Sequence, residues 1–254
     1  MPLTNQTPTS TPTTTVTTHE AWHSDRLRTL VSPQGNLALI QTRWLSPGTE
    51  VSDKEALADQ PAAVTLTRLQ RANLDTGEPE SGYRLWDAAS SAILNFDSVS
   101  VFDYNPDWVI EATFAQAEAN RTIPFEHIRD NGGSRELAVP GDITFTRDGH
   151  EYRLSAFDDG GVLLLVFGDP TNGRPAEDAG TYGSGRFLFV ARPSAADRFD
   201  AEGPVVLDFN RAFVPPCGFS SEYNCPLPPP QNRFPIDVTA GERLVIFSDG
   251  YQLH

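Results

Sequence analysis

The residues best equipped for chemistry gather between Gly180 and Pro235. There the run GTYGSGRFLFVARP is followed by VVLDFNRAFVPPCGFSSEYNCPLPPPQNRFP. Asp208, Asn210 and Arg211 stand where an apolar run ends, the position at which a strand hands polar groups to a loop. Prolines on both sides of Cys217 and Cys225 fix φ along that loop and lower the entropy lost when it orders. A stiff loop holds side chains at set positions, as a binding site requires. Arg186 and Arg211 carry planar forks of donors that match a carboxylate or phosphate. Asp169 and Thr171, in FGDPTNGRP, read either as a plain turn or as facing the same cleft as Arg186. Arg186, Asp208, Asn210, Arg211, Asn232, Asp169 and Thr171 are therefore the candidate binding site, for a small polar or anionic ligand.

Two other readings use the same residues. In the first, the protein is an enzyme of unspecified reaction, with Asp208 as general base and Tyr182 or Arg186 steadying developing charge. In the second, the loop is only structural and the protein acts through its surface. Asp208, Asn210 and Arg211 then satisfy backbone groups in a segment where proline supplies carbonyls but no N–H. Arg186 pairs with Asp208 as a buried ion pair. His127, in PFEHIRDNGG, reads as a general acid or base or as a surface histidine. No G-x-S-x-G elbow, P-loop, dinucleotide fingerprint or H-E-x-x-H occurs, which argues against the standard hydrolases, nucleotide enzymes and zinc proteases.

Cys217 and Cys225 lie eight positions apart, and the five histidines fall outside their segment. The spacing fits no common zinc pattern, so no metal is expected. A disulfide and a pair of free thiols both remain open, and free thiols suit a cytoplasmic protein. No cofactor is implied. The formal net charge of −15 would repel a phosphate backbone or an anionic membrane surface, so neither nucleic acid nor membrane is an expected partner. The longest apolar run, Val162 to Phe167, falls far short of the roughly 20 residues of a spanning helix. The N-terminus has a Thr/Pro tract in place of an export signal, which points to the cytoplasm.

The elements that must position these residues are mostly strands. The tract over 1–18 has almost nothing to bury and reads as disordered. Thr17 and Glu20 fit a capping box, with Thr17 as N-cap, opening a helix whose Trp22, Leu27, Leu30 and Val31 share a face and which Pro33 stops. Alternation or apolar continuity predicts strands over 36–45, 63–69, 82–87, 109–115, 162–167, 186–191, 204–210, 235–239 and 243–248. Residues 143–157 form the clearest local signal: two alternating runs flank Asp148-Gly149, a preferred two-residue hairpin turn. The acidic stretch from Thr49 to Asp59 reads as loop.

The same segments resemble a known family. FGDPTNGRPAEDAGTYGSGRFLFVARP, then LDFNRAFVPPCGFSSEYNCPLPPPQNRFPIDVTAGE, is similar to the bacterial and archaeal family called domain of unknown function 1684. Its pattern runs F-x-D-x-T-x-G, T-Y-G-x-G-R-Y, D-F-N-x-A-Y-N-P-x-C, C-P-x-P-P-x-E-N and an A-G-E turn. Phe167, Asp169, Thr171, Gly173, Thr181 to Arg186, Asp208 to Asn210, Ala212, Pro215, Cys217, Cys225, Pro226, Pro229, Asn232 and Ala240 to Glu242 carry the match. GNLALIQTRWLSPG upstream is similar to the pattern G-W-L-x-L-x-x-x-x-W-L-x-x-G, with Asn36 in place of the tryptophan. Phe187 and Phe213 stand where the pattern has tyrosines, Val214 where it has asparagine, and Gln231 where it has glutamate. The resemblance implies no established reaction. The expected fold is all-β and mainly antiparallel, with one short N-terminal helix. A small β unit over 19–100 precedes a sandwich or barrel-like unit over 101–254 that carries the signature loop.

Overall fold

The computed structural model describes residues 16–72, 77–118, 121–128, 134–191, 202–248 and 250–253. In chain order the elements are α1 (Val16–Leu30), β1 (Leu39–Trp44), α2 (Asp53–Ala56), β2 (Thr65–Ala72), β3 (Pro79–Trp86), α3 (Ser91–Asn95) and β4 (Phe96–Val101). They continue with β5 (Val109–Gln116), β6 (Thr122–Glu126), β7 (Ser134–Ala138), β8 (Gly141–Arg147), β9 (His150–Asp159) and β10 (Val162–Phe167). The last are β11 (Arg186–Val190), β12 (Gly203–Asp208) and β13 (Glu242–Phe247). The fold is all-β and mainly antiparallel, and α1 alone among the described helices reaches seven residues.

The chain forms two compact units. Of the described residues, one takes those within 16–23, 99–215 and 225–245; the other takes those within 24–98, 216–224 and 246–253. In the larger unit, six strands in the order β11-β10-β9-β8-β5-β12 curl into a half-barrel. Asp148 (φ 52°) and Gly149 (φ 75°) both adopt left-handed backbone at the β8–β9 turn, the geometry that matches strand twist in a two-residue hairpin. The turn sets the register, so Asp142 faces Ser155 and Ile143 faces Leu154. The concave core contains Phe114, Ile143, Leu154, Leu165, Phe167, Leu207, Phe209 and Phe234. Phe167, Phe209 and Phe234 meet edge to face at centroid distances of 5.2 to 5.9 Å, which adds to the area they bury.

The smaller unit holds the sheet β1-β3-β2 over a core of Leu45, Ala56, Val64, Tyr83 and Leu85. Residues 216–224, the first half of the signature loop, cover the β1 edge. Ser220 Oγ donates to the Leu39 carbonyl at 2.8 Å, and Glu222 Oε2 accepts the Thr42 N–H at 2.7 Å. An edge strand left open would invite pairing with another chain.

Several expectations need correction. Helix α1 begins at Val16, so Thr17 and Thr18 are helical and neither caps it nor belongs to a disordered tail; residues 1–15 of that tail lie outside the described residues. The helix cost of a threonine is under about 1 kcal/mol. Val31 lies past the helix end and is exposed. The 49–59 stretch contains α2, because Ser52 and Glu55 form a reciprocal capping box. Residues 235–239 form no strand. Val238 instead gives its carbonyl to Arg186 at 2.7 Å and its N–H to Asp169 at 3.4 Å, leaving nothing for a ladder.

Candidate functional site

Arg186 opens β11 with its side chain turned into the half-barrel, and it is 0% exposed. Nη2 donates to Asp169 Oδ2 at 2.9 Å and to the Val238 carbonyl at 2.7 Å; Nη1 donates to the Ala240 and Glu242 carbonyls at 2.6 and 3.2 Å. The guanidinium lies 5.2 Å from the Phe167 ring centre. Burial lowers its pKa from the ordinary value, and Asp169 works against that shift. Asp169 Oδ1 also accepts the Thr171 N–H (2.9 Å) and hydroxyl (2.5 Å), and the Thr171 hydroxyl lies 2.8 Å from that of Thr181. Asp169, Thr171 and Arg186 are therefore brought together. The carboxylate partner of Arg186 is Asp169, which lies in the turn directly beyond the strand paired with β11, and not Asp208.

Asp208, Asn210 and Arg211 form a second group at the end of β12. Asp208 Oδ1 accepts both nitrogens of Asn210, at 3.2 and 3.1 Å, and Oδ2 lies 3.4 Å from Arg211 Nε. Asn210 exchanges both amide bonds with the backbone of Asn105, at 2.8 and 2.9 Å. Asp208 and Arg211 reach solvent, with side chains 12% and 34% exposed. Tyr182 is partly buried in the loop before β11, and its N–H donates to the Arg243 carbonyl at 2.9 Å. His127 is half-buried at the end of β6, where it bridges to Pro226.

Asn232 stands in a third place. Strands β9 and β10 pair only from Val162↔Asp159 to Leu164↔Phe157, then part. The Asn232 amide fills the gap. Its Oδ1 accepts the Ser155 N–H at 2.8 Å, while Nδ2 donates to the Ser155 and Val166 carbonyls at 2.9 and 2.8 Å. One side chain thus replaces the missing rungs of a ladder, with no exposure to solvent.

Beside Asn232 lies a polar cluster that sequence reasoning did not single out. Asp142 is buried, and its Oδ2 accepts Arg121 Nη1 at 2.6 Å and Arg153 Nε at 2.7 Å. Its Oδ1 accepts the Ser155 hydroxyl at 3.0 Å. The Ser155 oxygen takes further donors from Arg121 Nη2 (3.2 Å) and Gln231 Nε2 (3.4 Å). Burial opposes charge on Asp142, but the bonds from Arg121, Arg153 and Ser155 outweigh it and hold the carboxyl below its ordinary range. The same bond raises Arg121 above its ordinary value. Counting back from the Asp148-Gly149 turn would have placed Asp142 opposite Ser155. Nothing in the sequence points to Arg121.

His19 was likewise missed. It is buried in the first half of α1, within reach of the charges of Asp208 and Arg211. Cys217 and Cys225 are both buried and form no disulfide. Among the described residues no three His, Cys, Asp or Glu side chains gather as a metal site requires, and no helix is long and apolar enough to cross a membrane. A groove of about 480 Å³ in the smaller unit, lined by Leu45, Glu50, Glu55 and Arg68 among others, contains none of the predicted residues.

The solution NMR structure of an uncharacterized protein of Haloarcula marismortui is similar to this chain at 32% identity, covering 58% of this chain and 77% of that one, with a TM-score of 0.43. No curated protein matches. Residues 94–243, which hold the Arg186, Asp208 and Asn232 groups together, match the family described as Protein of unknown function (DUF1684), and the chain belongs to that family.

Proposed function

We propose that this protein binds a small anionic ligand, a carboxylate or a phosphate, at Arg121, Arg153 and Gln231 beside Asn232. The observation that carries the reading is the convergence of two guanidiniums on the single Asp142 Oδ2. Two guanidiniums share one carboxylate oxygen; Glu118 adds a second negative charge beside Arg121, so Arg153 is the less compensated of the two. Gln231 matters to that balance: the family pattern has glutamate there, which would add a further negative charge. Asp142 is the anchor. It orients both forks before any ligand arrives, and pre-ordering lowers the entropic cost of binding. The Arg153 side chain is 70% exposed and uses Nε on Asp142. Among the described residues no hydrogen bond takes its two terminal nitrogens, and these suit a bidentate anion.

Arg186 and Asn232 have no exposed surface and support the cluster by setting the strands that carry it. Titration calorimetry with inorganic phosphate and with citrate, at low salt, tests the proposal. Binding with a Kd near or below about 1 mM is expected in the wild type. Arg153→Gln and Gln231→Glu should each weaken it at least tenfold without changing the fold. Absence of heat with both anions, or equal affinity in the variants, refutes the assignment.

A further inference from the structure

The first half of α1 carries a histidine where a charge would be costly. His19 is 4% exposed, yet its Nδ1 has no hydrogen-bond partner. Its ring stacks on Trp22, with centroids 5.6 Å apart and planes 23° from parallel, and lies 6.0 Å from the ring of Tyr104. The charged and titratable groups facing it are His23 and Glu20 of its own helix, Asp208 and Arg211 at the end of β12, and Tyr104 after β4. Among the described residues Asp208 is the one carboxylate from outside the helix that acts on it, and it is already committed. One oxygen takes Asn210 and the other faces Arg211. A proton on His19 would therefore enter a buried aromatic setting next to His23 and Arg211 with no carboxylate reserved for it.

We propose that residues 16–23 form a pH-sensitive latch: with His19 neutral the helix start stays docked beside the Asp208–Arg211 turn, and protonation of His19 releases it. Burial, and then His23, lower the pKa of His19 in the docked state, with Asp208 offsetting only part. The released helix takes up its proton at the ordinary value, about 6.5. Docking is then complete above that pH. It weakens as pH falls below it, by up to about tenfold per pH unit for one proton, until the docked form also protonates. Released, the segment would uncover Asp208 and Arg211, two of the charged groups that face it.

Hydrogen exchange of the 16–23 peptide in the full chain, corrected for intrinsic rates at pH 7.5 and 5.0, tests the latch. Wild-type protection should fall at least threefold between the two, His19→Phe should show no pH dependence, and His23→Gln, which removes a charge that disfavours protonated His19, should show a smaller fall than wild type. Flat wild-type protection, or the same fall in His19→Phe, overturns it. Should His19→Phe fail to dock at any pH, NMR titration of the His19 ring in the wild type decides. An inflection below 6.5 upholds the latch, and one at or above 6.5 removes its driving force.

Discussion

Replacing Asn232 by alanine removes a side chain that makes three buried hydrogen bonds to the backbones of Ser155 and Val166. Each such bond contributes about 1 kcal/mol net, and a buried backbone group left without a partner costs about 1–3 kcal/mol. Three groups are stranded together where β9 and β10 part, at a position with no exposure to solvent. The loss should be about 3–5 kcal/mol, a large share of a typical stability of about 5–15 kcal/mol. Asn232→Asp sharpens the test. It retains the acceptor for the Ser155 N–H but sets a carboxylate oxygen against two carbonyls, so it should cost more than alanine despite its shape. Because the chain has two units, global unfolding alone is ambiguous. Urea-dependent hydrogen exchange of the β9 and β10 peptides isolates the relevant unit. A loss under about 1 kcal/mol in Asn232→Ala, within reach of an ordinary surface substitution, would refute the picture of an amide serving as ladder. So would an Asn232→Asp variant no worse than alanine.

Arg186→Met leaves Asp169 as a buried charge without its cation, at an expected cost of about 3–5 kcal/mol in urea unfolding. Adding Asp169→Asn should restore part of that stability, and a double variant less stable than Arg186→Met would contradict the pairing. Asp142 governs an acid limb. Its pKa is lowered in the folded state, so its contribution is present above the ordinary carboxyl value of about 3.9 and is lost as pH falls through the folded value. Asp142→Asn should be less stable than wild type at pH 7, and the gap should narrow below about pH 4 in a series of thermal melts. A gap that stays constant down to pH 2 would show that the carboxylate charge is not what holds Arg121 and Arg153.

How much was legible beforehand depends on the range of the interaction. The β8–β9 hairpin could be read because Asp148-Gly149 and the alternation on either side act within a few residues. The apolar run of β10 and the motifs shared with the family are also local. Helix α2 was legible too, in the Ser52 to Glu55 capping box, but the acidic composition around it read as loop. Strands β4, β6 and β7 went unpredicted: β4 exists through pairing with the distant β13, while β6 and β7 are short and pair only with each other. Residues 235–239 looked like a strand because Ile236 and Val238 alternate with polar neighbours. Their backbone groups went to Asp169 and Arg186 instead, which no window around residue 238 contains.

The candidate site shows the same division. Its residue types, its proline-stiffened loop and its membership in a family were set by the chain as written. Which carboxylate would meet Arg186 was not, since Asp169 and Asp208 are comparably near in sequence and differ only in which strand end carries them. Nor could composition tell that Asn232 would be sealed between two parting strands while Arg153 stayed in solvent. Burial depends on how the sheet curls, and the curl is a sum of contacts between segments far apart along the chain. That sum decided which polar groups are sealed into the fold and which stay in solvent.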